Sequence, residues 1–295
     1  MEIRVLQYFL AVAREQSISA AAEALHLSQP TLSRQLKDLE DELGKPLMIR
    51  GNRRITLTEE GMLLRKRAQE IVDLILKTEN ELTVPEEIIS GDIYIGAGET
   101  DSMRLLVQAA KNLQQDFPQI HYHLSSGDAC DILEDLDKGL LDFALVLGDV
   151  NLAKYNTLPL PMRDTWGILM RCDSPLAEKK TLTVEDLMGL PLIVSRQLSC
   201  SGELIKLLGD QAEHLNIFAT YNLIYNGSLM VDEGLGYALT LDKLISMTGN
   251  SSLCFRPLMP KKEIGMRLVW KRYQVFSKAA EQFLKAITQQ LETSE

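Results

Sequence analysis

Two short helical patterns near the N-terminus constrain the fold of this chain more than any other feature. The first is the alanine-rich run from Ser19 to Leu25, in which Ser19 is the expected N-cap and small side chains let a neighbouring helix approach closely. The second follows Ser28, a good N-cap, with Pro30 in the first turn, where proline is tolerated. Its leucines recur at helical spacing and a glycine follows them: Leu32, Leu36, Leu39, Leu43 and Gly44. A helix-turn-helix is therefore predicted, packed against an earlier helix.

Extended segments and arginines follow this pair of helices directly. The run from Pro46 to Thr58 reads as two short strands around Gly51-Asn52, which predicts a β-hairpin, or wing. A solvated helix face and a solvated charge cluster are the alternatives for the polar helix start and for the wing arginines, each taken alone. Because the two features are adjacent, we predict a DNA-binding surface made of Ser28, Gln29, Pro30, Thr31, Ser33, Arg34, Lys37, Arg50, Arg53 and Arg54.

Residues 1 to 90 resemble the DNA-binding end of the LysR-type transcriptional regulators. The resemblance is carried by Leu6 to Phe9, Ser17 to Leu25, Leu27 to Leu36, Leu39-Glu40, Leu43-Gly44, Pro46-Leu47, Arg50 and Leu57 to Gly61. Met48 departs from the pattern, since the family usually has phenylalanine there, but this change affects packing and not polar contacts. The resemblance implies that Gln29, Pro30, Thr31, Ser33 and Arg34 lie at the major groove and that Arg50, Arg53 and Arg54 lie at the flanking backbone.

A long helical pattern opens at Glu59 and continues almost to Pro85. Its apolar stripe alternates spacings of four and three: Leu64, Ala68, Ile71, Ile75, Thr78 and Leu82. We predict that residues 59–90 form a linker helix and hinge through which copies of the chain pair, and the resemblance likewise implies a homodimer or homotetramer. A helix packed on its own domain is the alternative. A dimer presents two DNA-binding units, so we expect a partly palindromic promoter site.

From residue 91 the pattern changes to alternating strands and helices, which is typical of an α/β sheet. The resemblance implies two lobes similar to the periplasmic binding proteins, with lobe 1 at about 91–161 and 266–295 and lobe 2 at about 162–265. Crossovers are expected near Leu160 to Arg163 and Lys262 to Gly265. The predicted fold is thus an all-α winged helix-turn-helix at residues 1–58 plus a long linker helix, followed by an α/β two-lobed effector-binding domain at residues 91–295.

A small-molecule effector is expected in the cleft between the lobes, since ligands bind beyond the carboxyl ends of parallel strands. The loops after the predicted strands supply the candidates: Glu99, Thr100, Asp101, Ser102, Ser126, Gly127, Gly148, Ser195 and Asn226. Helix capping is the simpler explanation for each hydroxyl or amide taken alone. The carboxylates of Glu99 and Asp101 disfavour an anionic effector, so neutral, cationic and metal-associated ligands stay open.

The net charge of −10 lies mostly outside the N-terminal unit. Residues 1–58 carry eight Lys and Arg against seven Asp and Glu, so this unit is not acidic as a whole. No apolar run is long enough to span a membrane, and the cysteines match no metal or redox spacing: Cys130, Cys172, Cys200 and Cys254. We therefore predict a cytoplasmic protein with no cofactor, no metal and no membrane partner.

Catalysis lacks a complete set of residues in this sequence. His121 and His123 share one face of a predicted strand but have no full set of metal ligands with them, and Ser199 to Gly202 lacks the glycines of a nucleophile elbow. We predict a non-enzymatic, sequence-specific transcriptional regulator whose binding to double-stranded DNA responds to the effector, with contact to RNA polymerase left open. A small-molecule sensor and an α/β enzyme, neither of them regulating DNA, are the alternatives, and neither explains residues 1–58.

Overall fold

A computed structural model describes residues 1–51, 54–83, 89–148, 151–200, 203–249 and 251–293, with the side chains of Arg50, Thr83 and Cys200 outside the description. The chain divides into two compact units, Met1–Thr83 and Val84–Glu295. Among the helices in the described ranges, none is long and apolar enough to cross a membrane.

The first unit is a three-helix core followed by a hairpin and a long helix. Its elements are α1 (Ile3–Glu15), α2 (Ile18–Ala24), α3 (Gln29–Leu43), β1 (Met48–Arg50), β2 (Ile55–Leu57) and α4 (Glu59–Thr83). Phe9, Ala21 and Leu36 are fully buried in one apolar cluster, which is the burial that the helical spacing predicts. The helix-turn-helix and its wing are therefore present as predicted.

The caps of α2 and α3 explain where these helices begin and end. Ser28 accepts a hydrogen bond from the amide of Thr31 at 3.3 Å, and Gly44 ends α3 with a φ of 64°, which a glycine adopts without strain. The predicted cap of α2 was wrong by two residues. Ser17, with an extended backbone, accepts from the amide of Ala20, whereas Ser19 lies inside the helix.

Hydrogen bonds to α3 and to the end of α1 hold the wing in place. The carboxylate of Glu40 on α3 accepts hydrogen bonds from the amides of Leu47 and Met48, at 2.7 and 3.2 Å. The amide of Ile55 donates to the carbonyl of Gln16 at the end of α1, at 2.8 Å. These contacts join the wing to both helices, so the hairpin and α3 form one rigid surface.

The first half of α4 packs against its own unit. Ala68 and Val72 are buried against Leu6 of α1, so part of the predicted pairing stripe is already covered. Gly61 lies so close to the wing that an added Cβ would stand 2.0 Å from the carbonyl oxygen of Leu47. Further along α4, apolar side chains remain exposed, including Leu82 at 80%. The packing of α4 on its own unit therefore accounts for part of the stripe, and pairing between copies stays a prediction.

The second unit contains two sheets with helices packed on them. The elements are β3 (Gly91–Ala97), α5 (Met103–Asp116), β4 (Ile120–Ser126), α6 (Ala129–Lys138), β5 (Phe143–Leu147), β6 (Tyr155–Arg171), β7 (Leu192–Ser195), α7 (Arg196–Cys200), α8 (Glu203–Leu208), β8 (Ile217–Tyr221), α9 (Ile224–Asp232), β9 (Tyr237–Leu241), β10 (Leu253–Pro257), β11 (Glu263–Lys271) and α10 (Lys278–Glu292). The first sheet has the order β4-β3-β5-β11-β6, and the second has the order β8-β7-β9-β6-β10. Because β6 belongs to both, the nine strands are hydrogen-bonded without a break.

Two long strands, β6 and β11, connect these sheets. They pair with each other antiparallel along most of their length, with a register shift between Gly265 and Arg267. Each sheet has its own apolar core, around Phe143 and Phe283 in what we call the first lobe and around Leu192 and Leu239 in the second lobe. The parallel strands of each lobe end at the cleft between them, which is where the loops of the candidate site are found.

Candidate functional site

The start of α3 is a polar, solvent-facing surface. Gln29, Pro30 and Thr31 form its first turn and are exposed, together with Ser28 before them. The hydroxyls of Ser28 and Thr31 contact each other at 2.7 Å, so the capping serine also orients the threonine. The exposed polar side chains at this helix start suit contacts with phosphates and base edges.

Basic side chains continue this surface along α3. Arg34 and Lys37 are exposed one turn apart, and the guanidinium of Arg34 is 84% exposed with its nearest carboxylate, that of Asp38, at 4.0 Å. Ser33 is half-buried beside them. Such a loosely paired arginine can exchange its carboxylate for a phosphate at little cost.

The wing supplies the other predicted contacts. Its strands pair antiparallel, and the amide of Gly51 donates to the carbonyl of Arg54 at 3.2 Å, which closes the turn. Arg54 is exposed. The side chain of Arg50 and the whole of Arg53 lie outside the described residues, so their predicted contacts with DNA stay predictions.

The second unit encloses a cavity of about 690 Å³ between its lobes. Four of the nine predicted effector positions line this cavity: Glu99, Gly127, Gly148 and Ser195. The cavity walls also include Trp166, Tyr221 and four basic residues that the sequence analysis did not single out: Arg163, Lys206, Lys262 and Arg267. Arg163 lies on β6, Lys206 on α8, Lys262 immediately before β11 and Arg267 within it, so no local sequence pattern groups them.

The other five predicted effector positions do not line the cavity. Thr100 and Ser102 are buried and serve the fold: Thr100 donates to the buried carboxylate of Asp164 at 2.5 Å and accepts from the amide of Ser102. Asp101 pairs with Arg104 at 2.6 Å, while Ser126 and Asn226 are exposed. The capping alternative therefore describes Thr100 better than a direct ligand contact does.

Glu99 connects the two lobes across the cleft. Its carboxylate accepts a hydrogen bond from the amide of Ile224, the first residue of α9. Burial raises the pKa of Glu99, and the hydrogen bond from Ile224 only partly offsets that rise. Burial also raises the pKa of the Tyr221 hydroxyl, which donates to the carbonyl of Leu239 at 2.8 Å, and the charge of Glu99 adds to that rise. The cleft therefore holds a carboxylate with an increased affinity for a proton.

A second bridge lies between α6 and α7. The guanidinium of Arg196 hydrogen-bonds the carboxylate of Asp128, with Nε at 3.0 Å, and that of Asp131 at 2.8 Å. Burial alone would raise the pKa of Asp128, but the Arg196 hydrogen bonds and the amide of Asp131 lower it overall. The amide of Ala129 also donates to the side-chain oxygen of Gln197, at 3.4 Å. The chain's own side chains thus hold the lobes together in this conformation.

Among the residues that the structure describes, no three His, Cys, Asp or Glu side chains converge as a metal site. His121 and His123 do share one face, with nitrogens 4.0 and 3.0 Å from a carboxylate oxygen of Asp92. The imidazole of His123 also stacks on Tyr94. The contacts of the two histidines with Asp92 and Tyr94 on the neighbouring strand thus explain the pair without a metal.

Comparison with known protein families assigns both units. Residues 3–62 match the model of the bacterial regulatory helix-turn-helix protein, lysR family, and residues 87–292 match the model of the LysR substrate binding domain. These matches cover the described α3, the wing and the whole cavity.

Individual relatives agree with this assignment. The hydrogen peroxide-inducible genes activator of Pectobacterium carotovorum subsp. carotovorum is 31% identical over 203 residues, which are 68% of this chain and 66% of that protein. The HTH-type transcriptional regulator BsdA of Bacillus subtilis (strain 168) is 31% identical over 207 residues, 68% of this chain and 69% of that protein. The fold also matches the crystal structure of full-length CbnR complexed with its target DNA, at a TM-score of 0.76 and 17% identity over 98% of this chain and 100% of that chain.

Proposed function

The chain belongs to the LysR family of bacterial transcriptional regulators, and from that premise we propose that it binds a specific promoter DNA through α3 and the wing and responds to a small molecule in its cleft. The observation that carries the first part is the exposed start of α3, where four polar or basic side chains face solvent beside a rigid wing: Gln29, Thr31, Arg34 and Lys37. A DNA-binding regulator works where the chromosome is, so a cytoplasmic location accompanies this proposal.

Selection of genomic DNA fragments by the purified chain tests DNA recognition. We expect a partly palindromic motif with half-sites about one turn of DNA apart, because two copies present two α3 helices. Genes beside the selected fragments then suggest which metabolites to screen. Weak binding that ignores sequence and disappears at modest salt would instead favour a sensor without DNA regulation.

The effector part of the proposal rests on the cavity. A volume of about 690 Å³ suits a small metabolite, and it lies at the ends of parallel strands from both lobes. Thermal-shift screening tests effector binding, using metabolites that the products of the neighbouring genes make, consume or transport. A true effector raises the melting temperature of the wild type, and a bulky substitution in the cavity wall, Ser195→Trp, abolishes that shift. Retention of the full shift in S195W would place the ligand elsewhere.

Pairing of two copies through the far half of α4 completes the proposal. Ile71, Leu74 and Leu82 are 37, 40 and 80% exposed on this helix, an unfavourable state for apolar side chains unless another surface covers them. A second copy of α4 offers the matching stripe. Sedimentation of Leu82→Lys should show a lower oligomeric state than wild type, whereas Glu79→Lys, which changes an exposed acidic residue of the same helix, should leave it unchanged.

A further inference from the structure

Two of the chain's four cysteines lie side by side in the second lobe, away from the cleft. Strands β6 and β10 pair antiparallel with Met170 opposite Cys254, and just beyond β6 the amide of Cys172 donates to the carbonyl of Ser252 at 2.7 Å. Residues opposite each other share one face of a sheet, and so do residues two apart in a strand. Cys172 and Cys254 are therefore diagonal neighbours on one face.

Each thiol of this pair lies against the opposite strand. The sulfur of Cys172 is 3.8 Å from the carbonyl oxygen of Ser251, and the sulfur of Cys254 is 3.9 Å from the carbonyl oxygen of Arg171. Burial raises the pKa of Cys254, and the neighbouring sulfur adds to that rise against the opposing charge of Arg256. Because Cys172 is exposed and Cys254 is half-buried, Cys172 is the more accessible nucleophile.

Solvent reaches both thiols. They line an open hollow of about 470 Å³ on the surface of the second lobe, whose other walls include Ser174, Pro175 and Arg256. Cys172 is exposed and Cys254 is half-buried, and both line the same hollow. The exposed sulfur is thus placed to meet a small reagent first, with the second thiol in the same hollow.

We propose that Cys172 and Cys254 are a dithiol that closes to a reversible disulfide by exchange with small-molecule disulfides. The thiolate of Cys172 attacks one sulfur of the reagent, forms a mixed disulfide and releases one thiol. Cys254 then loses its proton to solvent and attacks the sulfur of Cys172, which releases the second thiol. Two protein thiols and one reagent disulfide thus become one protein disulfide and two reagent thiols. This proposal is independent of DNA binding and of the effector.

Mass spectrometry after incubation with 2-hydroxyethyl disulfide tests the dithiol. This reagent is small and uncharged, so the acidic residues near the hollow do not repel it. Using Cys130→Ser/Cys200→Ser keeps only the proposed pair, and we expect this variant to lose the mass of two hydrogen atoms and to regain it with dithiothreitol. Peptide mapping should link Cys172 to Cys254.

A matched variant lacking the second sulfur separates the two steps. In Cys130→Ser/Cys200→Ser/Cys254→Ser we expect a lasting mixed disulfide on Cys172, because no thiol remains to displace the reagent. Placing the serine at Cys172 instead should slow labelling of the remaining Cys254 at least tenfold, since that thiol is half-buried. Two mixed disulfides on the variant that retains both cysteines, or no reaction at either one, would overturn the proposal.

Discussion

The two functional surfaces of this chain differ in what their polar groups are already bonded to. At the start of α3 the polar and basic side chains face solvent, and the ion pair of Arg34 with Asp38 spans 4.0 Å. In the cleft, Glu99 and Asp128 are held by Ile224 and Arg196 from the other lobe. A surface that meets DNA is therefore ready before binding, while a surface that meets a small molecule must first exchange its internal contacts.

The largest expected effect separates the core of the DNA-binding unit from its surface. Leu36 is fully buried in α3, so Leu36→Ala should destabilise this unit by about 2–5 kcal/mol through the lost burial and the remaining cavity. Leu43→Ala, on an exposed leucine of the same helix, should cost less than about 0.5 kcal/mol. Chemical denaturation measures both. Equal losses would contradict the packing described for α3.

A smaller effect tests whether the surface of α3 recognises bases. Gln29→Ala should reduce the discrimination between the selected site and random DNA by about 1–3 kcal/mol, because a side-chain amide hydrogen-bonds base edges. Stability should not change, since Gln29 is exposed.

Arg54→Ala is the matched control on the wing. It should weaken binding to every sequence alike and lower the salt slope by about one unit, since it removes a phosphate contact. Anisotropy titrations at several salt concentrations separate the two variants. If Gln29→Ala and Arg54→Ala reduce sequence discrimination equally, the assignment of Gln29 to bases and Arg54 to phosphates is wrong.

The free energy of unfolding should depend on pH through Glu99. We expect this effect to be smaller than that of Leu36→Ala, because the Glu99 side chain is only half-buried. Burial raises the pKa of Glu99 above its ordinary value of 4.5, so the folded chain binds this proton more tightly than the unfolded chain does. The unfolding free energy of the wild type should therefore fall as pH rises from 4.5 through the raised pKa. Glu99→Gln should lack this decline. If the unfolding free energies of the wild type and Glu99→Gln change with pH in parallel, Glu99 is solvated and the cleft is open.

The smallest expected effect concerns the bridge between α6 and α7. A double-mutant cycle of Asp128→Ala and Arg196→Ala should give a coupling energy of about 0.2–1 kcal/mol, because Arg196 is half-exposed. Asp128→Ala alone should cost more, since Asp128 also caps α6. The ion pair of Lys179 with Asp186, within one lobe, is the control cycle. If only the control couples, the lobes are apart in solution.

The sequence predicted the DNA-binding unit more completely than it predicted the cleft. The fold class and the family were predictable because helical spacing, Ser28 and Gly44 act locally. The N-cap of α2 was misplaced because Ser17 and Ser19 are equally good caps in sequence, and only the start of the helix distinguishes them.

The cleft was predicted less completely, because its contacts join distant parts of the chain. Glu99 and Ile224 are 125 residues apart, and Asp128 and Arg196 are 68 apart, so no periodicity connects them. The strand ends indicated loops that line the cavity. They did not reveal that Thr100 turns toward the buried Asp164 instead of toward a ligand.

The close packing of α4 on its own unit means that the helix and the DNA-binding unit move together. Gly61 against Leu47, and Ala68 against Leu6, leave no joint between the helix and the wing. The 25 residues of α4 span about 37 Å at 1.5 Å per residue. A tilt of roughly ten degrees at one end therefore displaces the other by roughly 6 Å, nearly two base-pair steps of about 3.4 Å. A tilt of α4 of this size therefore shifts the DNA-binding unit by nearly two base pairs along the double helix.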